Sequence, residues 1–401
     1  MIRDTPALLL TLPFVLAAAA ATHAADPSIS SALPPVNPLE ARITNGIVTA
    51  KLYLPSVDKG YYRSTRFDWS GAIYSLTYKG HEYYGPWYDK IDPTVINWVH
   101  RDGLVVSGPC SALMGPANEF QKPLGFDDAR TGGTFIKIGV GVLRKDDGPY
   151  NSYKPYPVLN SGKWTIRKSR NQIVFTQELS DPDSGYGYIY RKTVRLEKGK
   201  PELTIEHSLK NTGKLVIDSN VYNHNFVVLD HQAPGPDFIF RVPFSIHIAP
   251  PAPGRPPRVN NFTVVRDNQV VYLKPLSGTD EAVVQIQGYG DSAKDNEVVM
   301  ENKKVGAGLK ISNDRPISRS CGSAWKRTSG RGKPYSARKV VPMYSVRNSP
   351  RRCSSGTTSV TNTSSMRGST GGIRLKPSAA SSLNQASIRS AICSGEPAVT
   401  K

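Results

Sequence analysis

Residues 187–214 read GYIYRKTVRLEKGKPELTIEHSLKNTGK. Apolar and polar side chains alternate through 187–196 and again through 202–210. Lys198-Gly199-Lys200-Pro201 separates the two runs, and Lys210-Asn211-Thr212-Gly213-Lys214 closes the second. Alternation with period two, interrupted by Gly, Pro and Asn, is the pattern of strands joined by tight turns. The same pattern extends in both directions. Upstream, it predicts strands over 47–54, 72–78, 81–84, 134–143, 163–168 and 172–179, with Lys79-Gly80 as a hairpin turn. Downstream, it predicts strands over 216–229, 238–242, 270–273 and 281–287. No stretch of twelve residues carries a convincing amphipathic helix. Many short strands at regular spacing imply an all-β protein, a large antiparallel sandwich of residues 43–318.

The two ends read differently. Arg3, an apolar run over 7–21 and Thr22-His23-Ala24 form a secretory signal, with cleavage expected after Ala24. The run is too short to span a bilayer, and no later segment is long enough. The protein is therefore expected to be secreted or periplasmic. Residues 25–42 are Pro- and Ser-rich and read as a leader loop.

After Pro316 alternation is lost, and Ser, Thr, Arg, Lys and Gly dominate. The net charge of +19 is concentrated here. Cys321 to the C-terminus holds fourteen Lys or Arg and one acid, so the rest of the chain carries only +6. The charge thus belongs to one segment and gives no ground for a nucleic-acid partner. Residues 319–401 read either as a basic disordered tail or as the product of a shifted reading frame. Codons compatible with 321–329 and 354–364, read out of register in one common frame, encode strand-like alternation. On either reading the sandwich is expected to lack its C-terminal strands. Of the four cysteines, Cys110 is alone in the body and Cys321, Cys353 and Cys393 fall in the tail. Neither a disulfide framework nor a metal-ligand spacing results.

Val221-Tyr222-Asn223-His224-Asn225-Phe226-Val227-Val228-Leu229 resembles the Asn-His strand of the aldose 1-epimerases, the galactose mutarotases. The order of elements is similar from about Asn45 to Asn313. Arg66-Phe67-Asp68-Trp69-Ser70-Gly71 and Gly115-Pro116-Ala117-Asn118-Glu119-Phe120 resemble a poorly characterised secreted subgroup of that superfamily. The resemblance implies a galactose mutarotase-like supersandwich and chemistry at an anomeric carbon, without metal or nucleotide cofactor. A carboxylate would take the proton of the C1 hydroxyl while a histidine gives one to the ring oxygen; histidine suits this because its pKa lies near working pH. His224 matches the family's acid. Met114 stands where the family has a second histidine, and the family's glutamate base belongs to a late strand, beyond Ser318, where this chain has no acid before Glu396.

Glu119, in a stretch that reads as a loop, is the candidate substitute base. Arg66 and Asp68 flank Phe67, and strand alternation would set both on one face, either as a surface ion pair or as hydrogen-bonding groups for sugar hydroxyls. With Trp69, Asn223 and Asn225 they are the candidate substrate-binding residues. Trp87, Tyr88 and Trp98 read as core or as stacking surfaces for a sugar ring. Three functions stand open: a mutarotase-like isomerase, a non-catalytic carbohydrate-binding protein, and an accessory domain of polysaccharide-degrading machinery. In each the partner is a sugar or polysaccharide. Fold alone does not choose among them.

Overall fold

A computed structural model describes residues 33–248, 261–277, 279–314, 316, 335–345, 373–375 and 387–391. The signal read over 1–24, and the part of the leader before Leu33, lie outside the described residues. The described chain is built of strands, with one short 3₁₀ turn at Ala293–Asp295 and no α-helix among them. The all-β, antiparallel architecture expected from the alternation is the one observed.

The largest sheet has ten strands. Lys163–Lys168, Gln172–Asp181, Tyr186–Leu196 and Glu202–Asn211 follow one another as a meander. The order continues through Tyr335–Ser345, Ala307–Asn313, Glu297–Asn302, Phe238–Arg241, Gln269–Tyr272 and Thr263–Arg266. A six-stranded sheet runs His247–Ile248, Glu281–Gln287, Ser387–Ala391, Ile373–Leu375, Val221–Val227, Gly115–Phe120. A four-stranded sheet is formed by Glu40–Thr44, Val48–Tyr53, Ala72–Tyr78 and His81–Glu82. One continuous apolar core joins all three: Leu52 and Ile73, Phe175 and Ile205, and Val284 and Ile286 pack together in it. That face-to-face packing makes the molecule a sandwich.

Four readings of the sequence are corrected here. The first strand begins at Glu40, inside the stretch read as leader, and pairs with Val48–Tyr53. Tyr335–Ser345, from the segment expected to add no strand, pairs between Glu202–Asn211 and Ala307–Asn313. Without it two central strands would each face an unpaired edge, and backbone pairing makes weaker demands on sequence than side-chain packing does. The rest of the segment after Pro316 lies outside the described residues, apart from the two short strands at 373–375 and 387–391.

The run over 134–143 is two strands, Thr134–Lys137 and Gly141–Arg144. The break is at Gly139, whose φ is +80°. A Cβ there would lie 2.3 Å from the Asp68 Cβ, so glycine is required for this approach. Finally, the 115–120 stretch is a strand rather than a loop. It pairs antiparallel with Val221–Val227 at the sheet edge, where Pro116 is tolerated. All six of its residues are buried, so tertiary pairing has overridden a turn-like composition.

Candidate functional site

The register of that edge pair builds the site. Tyr222 faces Glu119 and His224 faces Ala117, so Glu119 and His224 are diagonal neighbours on one face. The small Ala117 opposite leaves room for the imidazole. The Nε2 of His224 lies 3.6 Å from the Oε2 of Glu119. Arg66 reaches both. Its Nε donates to Glu119 Oε2 at 2.9 Å, its Nη1 to Ser111 Oγ at 3.1 Å, and its Nη2 lies 3.1 Å from His224 Nε2. Arg66, Glu119 and His224 are 4, 3 and 2 % exposed, so this cluster works away from bulk water.

Protonation follows from this geometry. The guanidinium offers only hydrogens, so His224 Nε2 acts toward it as an acceptor. Burial by itself opposes ionisation of Glu119, but the Arg66 charge, contact with His224 and the Lys137 charge outweigh it. Its carboxyl is held well below the usual carboxylate range. Arg66 is held charged in return. The aromatic surround fixes the imidazole: Phe67 and Tyr222 meet it edge-on at 5.0 and 4.2 Å, and Phe226 stacks on it at 5.3 Å.

The roof comes from the loop between Gly141–Arg144 and the next strand, Val158–Asn160. Its Tyr153 ring lies 4.4 Å from the guanidinium carbon of Arg66. Its Tyr150 hydroxyl accepts from Lys137 Nζ at 2.6 Å. Thr65 Oγ1 donates to the Lys154 carbonyl at 3.1 Å, tying the loop to the segment that carries Arg66.

Asp68 belongs to a second buried cluster. Its Oδ2 accepts from Lys192 Nζ at 3.1 Å and from the Tyr190 hydroxyl at 3.5 Å, and Tyr190 in turn meets His207 Nδ1 at 2.8 Å. Its Oδ1 accepts from the Ser70 amide at 2.7 Å. The alternation that would set Arg66 and Asp68 side by side therefore does not operate. Residues 64–67 form bends and no strand includes Arg66 or Asp68, both side chains are buried, and each has its own partners. Neither is part of a surface ion pair.

Of the other sequence candidates, Asn223 accepts a hydrogen bond from Asn118 directly across the ladder. Asn225 is fully buried. Trp69 is 2 % exposed and donates from Nε1 to the Ser64 carbonyl at 2.7 Å, which makes it a core residue and not a stacking platform. Trp87 and Tyr88 are likewise core. The structure thus unites Arg66, Glu119 and His224, and leaves Asp68 and Trp69 outside their contacts.

Lys137, Ser111, Tyr150 and Tyr153 were not singled out from sequence. Only Lys137 carried a signal: a lysine inside the apolar run Phe135-Ile136-Lys137-Ile138. Among the described residues no three of His, Cys, Asp and Glu converge as metal ligands would, and no helix is long and apolar enough to cross a membrane.

No family model matches the chain, and no curated protein matches it. Solved structures do. A galactose mutarotase related enzyme from Lactobacillus acidophilus is similar at 12 % identity and a TM-score of 0.42, over 78 % of this chain and 100 % of that one. An aldose epimerase homologue from C. elegans is similar at 13 % identity and a TM-score of 0.42, over 77 % and 99 %. A galactose mutarotase-like protein from Lactobacillus casei is similar at 11 % identity and a TM-score of 0.37, over 76 % and 100 %.

Proposed function

We propose that this protein is an exported carbohydrate-binding protein of mutarotase-like build, which holds a sugar at the Arg66–Glu119–His224 cluster and turns it over slowly if at all. The observation that carries this reading is the Arg66–Glu119 contact at 2.9 Å. A carboxylate and an imidazole nitrogen that accept, beside a guanidinium that donates, complement the mixed donor and acceptor character of sugar hydroxyls. The same contact makes Glu119 a poor general base, since a carboxyl held well below its usual range has little affinity for a proton. His224 Nε2, already facing the guanidinium, is not set to give a proton to a ring oxygen.

Anomer interconversion is the second reading, and one distance favours it. Glu119 Oε2 and His224 Nε2 stand 3.6 Å apart, close enough to address two oxygens on one anomeric carbon once a sugar displaces Arg66 from either.

Calorimetry with a panel of aldoses, paired with polarimetry on freshly dissolved α-anomers, tests the proposal. Saturable binding with anomerisation no faster than in buffer is expected. Rapid anomerisation abolished by His224→Ala would overturn the slow-turnover claim, and absence of binding to any sugar would overturn the proposal.

A further inference from the structure

Lys137 Nζ donates to the Tyr150 hydroxyl, and beyond that contact neither has a hydrogen-bond acceptor among the described residues. Lys137 is 1 % exposed. Among the described residues its ammonium donates only to Tyr150 Oη, at 2.6 Å, and lies 5.0 Å from the centre of the Tyr150 ring. No described carboxylate is within ion-pair distance of it. Glu119, whose charge acts on it, is directly bonded to Arg66 instead. Having accepted from Lys137, the Tyr150 hydroxyl keeps its own proton, and it donates to no described group. Burial keeps that proton in place by pushing the phenol well above its ordinary range.

The charges of the neighbourhood do not cancel. Arg66 and Glu119 neutralise one another, which leaves the Lys137 ammonium as a buried positive charge whose one hydrogen-bond partner among the described residues is neutral. Burial of an ammonium without a counter-ion is costly, and desolvation pushes Lys137 down to about 8 against the opposing charge of Glu119. An arrangement made of donors around an uncompensated positive charge is complementary to an anion. Tyr150 sits on the roof loop, half-buried as a whole residue, with its ring packed against Phe126, Phe135 and Tyr156.

We propose that Lys137 and Tyr150 form a carboxylate subsite, and that the sugar held at the Arg66–Glu119–His224 cluster is an acidic one, a hexuronate or a chain ending in one. This deepens the reading above and rests on it. One carboxylate oxygen takes the ammonium and the other takes the phenol hydrogen. A single negative charge balances the single uncompensated positive one, whereas a phosphate monoester, with nearly two charges at neutral pH, overshoots it. Lys137 is here a specificity residue, acting on the substituent of the sugar and not on its anomeric carbon.

The experiment compares calorimetric affinities of the full chain for glucuronate and galacturonate, their methyl esters, the parent aldoses and glucose 6-phosphate. A charge-assisted contact is expected to favour the uronate over its parent aldose and over its ester about ten- to hundredfold. In Lys137→Met the ratio of uronate to aldose affinity falls to about one. As a second readout, the Lys137 side chain followed by NMR titrates at higher pH in the presence of uronate and not in the presence of aldose. Equal binding of uronate, ester and aldose overturns this inference and leaves the sugar-binding reading standing. Tighter binding of the sugar phosphate than of the uronate overturns it also. Binding of no sugar, neutral or acidic, overturns the sugar-binding reading, and this inference with it.

Discussion

Arg66 Nε and Glu119 Oε2 meet at 2.9 Å with both side chains about 4 % exposed, and the rest of the site is arranged around that contact. A buried ion pair adds little net stability relative to an apolar replacement, because desolvation offsets the attraction, but removing one partner strands the other. Arg66→Met should therefore cost about 3–5 kcal/mol. Adding Glu119→Gln to it should recover part of that loss, since no buried charge is then left alone. Urea denaturation of the two single variants and the double variant checks this, and a coupling term near zero contradicts it.

The same contact sets an acid dependence. Glu119 ionises more readily folded than unfolded, so its contribution is fully present above the unfolded carboxyl range, near 4.5. It is lost progressively as pH falls below that toward the depressed folded value. The stability difference between the wild type and Glu119→Gln should be flat above about pH 5.5 and shrink below about pH 4.5. A difference that persists undiminished to pH 3 contradicts the assignment.

Lys137 gives the opposite case. Its folded value is lowered to about 8 by burial, so the charged ammonium destabilises the fold below that pH. As pH rises from about 8 to about 10.5 the folded state has released the proton and the unfolded state still holds it. Stability relative to Lys137→Met should accordingly rise over that window, by about 3 kcal/mol at 1.36 kcal/mol per unit. Chemical denaturation of both proteins from pH 7 to 11 measures it, and a constant difference would show that Lys137 finds a counter-charge.

Much of the fold was legible because alternation reports burial on one face. The strands at 72–78, 163–168 and 187–196, and the Lys79-Gly80 turn, fall where the pattern puts them; the φ values of +50° and +83° at that turn are those a two-residue hairpin requires. Legibility failed where both faces are covered. Gly115–Phe120 has no exposed face, hence no alternation, and its Gly-Pro-Ala-Asn composition reads as a turn. The site was half legible for the same reason. Glu119 and His224 were found as chemically able residues near a motif, and their diagonal contact needed the register of two strands a hundred residues apart. Arg66 was found, but its partner was misassigned, because alternation was applied to a segment that bends.

Gly139→Ala should propagate into the site. The substituted position has a φ of +80° and no room beside Asp68, so a loss of about 1–3 kcal/mol is expected. Asp68 anchors the segment that carries Arg66, since its amide donates to the Asn118 carbonyl at 2.9 Å, one residue from Glu119. Any sugar affinity should fall as well. Thermal unfolding and sugar titration of the purified variant check both, and an unchanged melting temperature contradicts the packing argument.

The central claim is that a sugar sits against His224. Side-chain NMR of ring-labelled histidines during sugar titration tests it most directly, with His81 and His207 as controls away from the Arg66–Glu119–His224 contacts. The account predicts that the His224 ring resonances shift saturably while those of His81 and His207 stay in place, and that Arg66→Lys removes the shift. Saturable sugar binding that leaves the His224 ring unmoved would contradict it.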